Sequence, residues 1–195
     1  MNKVINSTLS LILMASLFMS CQNSPKAKTA AEEIKIEKPL EWSRNANIYE
    51  VNIRQYTPEG TINAFVEHMP RLKEMGVDIL WLMPVFPISE KNRKGSMGSY
   101  YAVADYQAVN PEFGTMDDLK KLVKTAHDMD MKVILDWVAN HTGWDNVIMA
   151  DHKDWYTQNE KGEIVIPEGT DWSDTADLNY ENQEMRKYMI ESLKF

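Results

Sequence analysis

The chain has 195 residues, 44 % of them apolar, and sets 29 acidic side chains against 21 basic ones for a formal charge of −8. That length and apolar share suffice for one domain with a sizeable core, while the negative balance argues against nucleic acid or an anionic surface as a partner. Cys21 is the only cysteine, so no intrachain disulfide can staple the fold.

Residues 1–20 stand apart from the rest. Lys3 supplies a small positive start, Leu9 to Met19 an apolar run, and Ser20-Cys21 follows; the pattern predicts a signal peptide and is too short for a membrane-spanning helix. Leu17-Phe18-Met19-Ser20 before Cys21 resembles a bacterial lipobox, with Phe18 where Leu is usual. The expectation is a lipoprotein whose only membrane contact is a lipid anchor on Cys21, held at the periplasmic or cell surface of a bacterium. Residues 21–41 are polar over most of their length and rich in Lys, Ala and Glu, which predicts a flexible tether.

From residue 42 the chain alternates strand and helix signals. Ile48 to Ile53 reads as a first strand, and Ile62, Phe65, Val66, Met69, Leu72 and Met75 share one face of a helix. Pro70 should kink that helix and Gly76 end it in a left-handed cap. A second strand, Val77 to Met83, releases a loop from Pro84 to Gly114, long enough to expect a function. Thr115 should cap a helix whose buried face is Leu119, Leu122, Val123, Ala126 and Met129, with Asp117 and Asp118 in its first turn. Val133 to Val138 is the third strand. Helices between each pair of strands predict a parallel α/β sheet with right-handed crossovers. Residues 142–180 carry no long periodic segment but gather Trp144, Trp155, Tyr156 and Trp172, and Met185, Tyr188, Met189 and Leu193 begin a further helix. Trp155 and Tyr156 are equally compatible with a small core and with sugar platforms.

The third strand ends in Asp136-Trp137-Val138-Ala139-Asn140-His141. A short β-branched run capped by such polar groups fits the C-terminal end of a barrel strand, where α/β barrels keep their active sites. The order Asp-x-x-x-Asn-His resembles the first signature of the α-amylase family of glycoside hydrolases. Four further stretches are similar to that family in the same order: Gly76 to Val85 to its second strand, Gly98 to Tyr106 to its tyrosine loop, Asn110 to Thr115 to the turn into the next helix, and Ala176 to Asn179 to the late signature of the inserted domain.

The resemblance implies a partial TIM (β/α)8 barrel over residues 42–195, about three βα units with residues 142–180 as a small inserted domain. It implies an α-glucan or maltooligosaccharide substrate, met by Tyr101, Asp136 and His141, and a calcium ion held by Asn140 and Asp177. A complete barrel takes about 250 residues, and the family's nucleophile and acid/base carboxylates belong to later strands, so they are expected beyond Phe195. Retaining glycosidases need two carboxylates about 5–5.5 Å apart, and Asp136 alone is not such a pair. The expected function is therefore an α-glucosidic bond hydrolase represented by its N-terminal portion, with a non-catalytic binding or assembly relative as the alternative. The Asn140-x-Thr142 pattern is read as coincidence, Asp105 as a structural partner of nearby loops, and the methionines as core filler.

Overall fold

Three short strands carry the framework: β1 (Ile48–Val51), β2 (Ile79–Leu82) and β3 (Lys132–Leu135) pair in parallel in the order β1-β2-β3. The register sets Val51, Leu82 and Leu135 level at the C-terminal edge, so the residues that follow, Asn52, Met83 and Asp136, leave the sheet on one side. These positions come from a computed structural model that describes residues 38–195. The expected signal peptide, Cys21 and most of the tether lie outside the described residues, among which no helix is long and apolar enough to cross a membrane.

The first crossover differs from its expectation. Instead of one kinked helix, the chain makes α1 (Ile53–Tyr56), α2 (Ile62–Val66) and α3 (Met69–Glu74), with Pro70 at the start of α3. Proline has no N–H to give the preceding turn but fits the first turn of a new helix, so a restart relieves what a kink would strain. Ile62, Phe65, Val66, Met69 and Leu72 are buried as their spacing predicted, whereas Met75 at the C-cap is exposed. Gly76 then turns with φ of 85°.

The second crossover is α4 (Met116–Asp128). Thr115 accepts from the Asp118 amide while Asp118 accepts from the Thr115 amide at 2.8 Å, a full capping box. A cap of this kind is worth about 1 kcal/mol. Its hydrogen bonds from Thr115, joined by one from Asn63, hold the Asp118 carboxyl below the ordinary carboxylate range. Leu119, Leu122 and Ala126 are buried, and Val123 and Met129 pack half-covered on the same core.

The strands are shorter than their apolar runs, and β3 is not buried as its composition suggested. Among the described residues no strand pairs with its outer edge, which leaves Ile134 and Leu135 43 % and 44 % exposed. In a closed barrel this edge is the one that the next strand covers.

Beyond β3, a two-stranded antiparallel ribbon joins β4 (His141–Gly143) to β5 (Thr175–Asp177), and α5 (Gln183–Lys194) follows, capped by Asn182. The intervening residues fold over a second core that includes Val138, Ile148, Trp155, Tyr156, Met185 and Met189 together with Phe86, Val103 and Tyr106 of the long loop. Trp155 and Tyr156 are thus core side chains, not platforms. Burial pushes the Tyr156 hydroxyl up to about 12, and it shares a 3.0 Å hydrogen bond with Thr142.

Candidate active site

The 84–114 loop is built from backbone ties that bring it over the sheet's C-terminal edge. Asn110 N–H donates to the Val85 carbonyl, and Ser89 and Ala104 amides donate to the Ala102 and Pro87 carbonyls. Arg54, just after β1, reaches across to the loop's far side, donating to the Met97 carbonyl at 3.0 Å and to the Tyr100 hydroxyl at 2.8 Å. This fixes the turn that delivers Tyr101. Its hydroxyl donates to Asp136 Oδ2 at 3.1 Å, so the loop and β3 meet through one hydrogen bond. Burial, then the Asp136 charge and its hydrogen bond, raises the Tyr101 hydroxyl above its ordinary range, which keeps it protonated and donating.

His141 opens β4 and is 6 % exposed. Two tyrosines hold its approach: the buried Tyr106 hydroxyl lies 2.7 Å from the Val138 carbonyl and 2.8 Å from that of His141, while the Tyr180 hydroxyl donates to the Ala139 carbonyl. Asn140 Nδ2 lies 3.1 Å from His141 Nδ1. An amide nitrogen only donates, so Nδ1 accepts and the ring proton sits on Nε2. Nε2 is buried and makes no hydrogen bond of good geometry, although the Tyr101 backbone lies near enough to the ring to favour its charged form; a ligand oxygen would complete its bonding.

Burial lowers the His141 pKa; the Tyr101 backbone and the Asp174 and Asp177 carboxylates oppose that shift without cancelling it. Because the folded ring binds its proton less readily than the unfolded one, the folded state loses stability as pH falls below about 6.5 and recovers none on further acidification. The neutral ring should therefore persist at pH 6.5, checked by long-range 1H–15N NMR of the imidazole; a doubly protonated ring at that pH would contradict the assignment.

A cleft of about 520 Å³ opens beside these groups. The long loop contributes Lys94, Gly98, Ser99 and Tyr101 to its lining, and the ribbon with its lead-in contributes His141, Trp172, Asp174 and Thr175. Asp136 is not on the wall; it stands behind the Tyr101 hydroxyl. Of the residues singled out by sequence, Tyr101 and Asp136 form one hydrogen-bonded pair and Asn140 and His141 another, and Asp177 is the cross-strand partner of His141. Sequence reasoning missed Lys94, Trp172 and Asp174, which lie in loops with no periodicity to mark them. Thr142 of the Asn-x-Thr pattern is wholly buried, consistent with a packing role.

The family model for the α-amylase catalytic domain matches residues 20–195. The chain belongs to the α-amylase family. It is 30 % identical over 178 residues to α-amylase 3 of Dictyoglomus thermophilum, covering 79 % of this chain and 34 % of that relative. Its structure is similar to the crystal structure of an α-amylase from Lactobacillus plantarum, with a TM-score of 0.74 and 44 % identity over 76 % of this chain and 35 % of that one. It is also similar to an α-amylase from Geobacillus thermoleovorans in complex with acarbose, with a TM-score of 0.60 and 31 % identity over 76 % and 36 % of the two chains. The chain thus spans about a third of the length of the α-amylase relatives it matches, and its three parallel strands are part of the TIM barrel that this family shares.

The calcium expectation can be set against the donors present. Among the described residues no group of three His, Cys, Asp or Glu side chains is placed to hold a metal. Asn140 and Asp177 are neighbours across the ribbon, since the Leu178 amide donates to the Asn140 carbonyl at 3.2 Å. They offer hard oxygens of the type calcium takes, but two residues fall short of its six to eight oxygen ligands.

Proposed function

We propose that this chain forms part of the sugar-binding half of an α-glucan-active glycoside hydrolase. The observation that carries the reading is the convergence of Tyr101, His141 and Asp136 at the end of the parallel sheet, beside an open cleft and with one buried donor, His141 Nε2, unpaired. A hydroxyl-rich neutral ligand matches such a wall. Lys94, the cation of the cleft lining, donates to the Asp171 carbonyl at 2.8 Å and faces Asp174 at 3.8 Å, so its charge is already engaged and the cleft offers little to a phosphorylated sugar.

In this reading His141 donates Nε2–H to a sugar hydroxyl and stays neutral while doing so, because burial holds its pKa down. Tyr101 contributes its ring as an apolar face for the sugar, and its hydroxyl keeps Asp136 oriented. Hydrolysis with retention needs a nucleophile and an acid/base about 5–5.5 Å apart; we assign that pair to parts of the protein outside these 195 residues. The test is activity of the full-length protein against neutral and phosphorylated substrates: turnover of maltoheptaose with none of trehalose 6-phosphate is expected, and the reverse preference would overturn the reading.

Two companion proposals rest on sequence. Calcium, where bound, would take oxygen from Asn140 and Asp177 and brace the ribbon; in the full-length protein, chelation with EGTA should lower the melting temperature, and an unchanged melt would count against it. Lipidation of Cys21 would anchor the protein at a bacterial membrane surface, since two or more acyl chains anchor stably where one does not; mass spectrometry of the mature N-terminus decides it.

A further inference from the structure

The segment before β5 is held more firmly than a surface loop requires. Lys94 Nζ donates to the Asp171 carbonyl at 2.8 Å, Trp144 Nε1 donates to the Ser173 carbonyl at 2.9 Å, and the Thr175 amide and hydroxyl both donate to the Trp172 carbonyl, at 3.0 and 2.9 Å. Three consecutive carbonyls are thereby occupied from three directions. Asp174, whose side chain is 7 % exposed, faces the Lys94 ammonium at 3.8 Å. Lys94 belongs to the loop that also carries Tyr101, so the tie runs across the cleft.

What this effort holds in place is an indole left open to water. Trp172 is 45 % exposed, lines the cleft, and has its ring centroid 5.4 Å from that of His141. Nearly half of this tryptophan is left uncovered by the fold, and large rigid aromatic faces are the side chains that yield most when a ligand covers them. The backbone is also set in advance, so binding pays little ordering entropy.

We propose that Trp172 is a sugar-stacking residue that sets specificity in the cleft that Tyr101 also lines, and that Lys94 is a positioning residue which, through Asp171 and Asp174, latches the Trp172 loop in its binding posture. The ligand is a neutral α-linked oligosaccharide whose apolar ring face lies on the indole. This inference rests on the reading of the cleft as a sugar site.

The test uses the full-length protein and maltoheptaose. Trp172→Ala should weaken its Kd by about 10-fold or more and raise KM with kcat little changed, the pattern of a lost uniform binding contact. Trp172→Phe should keep most of the affinity while losing the part of the ligand-induced fluorescence change that this indole contributes. Lys94→Met should show a smaller rise in KM that Lys94→Arg restores, because either cation can span to Asp174. Circular dichroism melts of all four variants should lie close to the parent. If maltoheptaose binds the parent and Trp172→Ala equally well, the stacking role is overturned and the sugar site stands. If Trp172→Ala weakens binding but Lys94→Met does not, the latch is overturned. If the parent binds no α-glucan, both this inference and the functional reading fall.

Discussion

His141→Ala in the full-length protein should lower kcat/KM on maltoheptaose by about 2–4 kcal/mol of transition-state stabilisation, roughly 30- to 1,000-fold. His141 Nδ1 is committed to Asn140, and Nε2 is buried with no partner. Alanine there would remove the ring acceptor of the Asn140 amide, a group exposed enough to turn to water instead. The Nε2 donor gains its value when a sugar oxygen accepts from it, because a donor on a buried ring counts for more than one in solution. Because the variant removes an orphaned donor together with the ring, the melting temperature should change little. Wild-type kcat/KM in this variant, measured on a protein that turns over maltoheptaose, would show that the imidazole is structural.

Gly143→Ala should be among the most damaging single changes on this chain, and for a reason unrelated to backbone conformation. A Cβ at this position of β4 would stand 2.1 Å from Ser89 Cβ, 2.6 Å from Ser89 Oγ and 3.0 Å from the Ala102 carbonyl oxygen. Rotating Ser89 cannot relieve the first contact, because Cβ moves only with the backbone, and Ser89 is fixed by its amide bond to the Ala102 carbonyl at 2.8 Å. The ribbon would have to lift from the long loop, breaking the Gly143 amide bond to the Val103 carbonyl, also 2.8 Å, and carrying His141 away from Tyr101. Overpacking costs about 1–3 kcal/mol where neighbours can yield, and more where they cannot, so about 3 kcal/mol or more is expected from denaturant unfolding. Adding Ser89→Gly removes the worst contact and should recover part of the loss in a double-mutant cycle; a Gly143→Ala protein as stable as the parent would contradict the close approach.

How much of this was legible in the sequence depends on the range of the interaction concerned. The α4 capping box was readable because Thr115 and Asp118 are one turn apart, and the order of parallel strands because each apolar run is separated by a helical period. The restart at Pro70 was legible as a disturbance but not as a break, since kink and restart differ only in whether the preceding turn finds other partners. Ile134 and Leu135 look like interior residues in any sequence reading; their exposure comes from what pairs with β3, which local pattern cannot say. At the site, Asp136, Asn140 and His141 stand close together in one motif, whereas Lys94 and Asp171 meet across 77 residues of chain through backbone carbonyls that carry no residue signature. Arg54 reaching the Met97 carbonyl is the same kind of contact. Residues clustered in one motif were thus easier to name than residues brought together from distant loops.

We assign this cleft to an enzyme that cleaves α-glucosidic bonds with retention. Proton NMR of maltoheptaose during hydrolysis by the full-length protein tests it directly by following the anomeric signal of the newly formed reducing end. The α-anomer should appear first and then mutarotate toward equilibrium; initial release of the β-anomer, or no cleavage of maltoheptaose at all, would overturn that assignment.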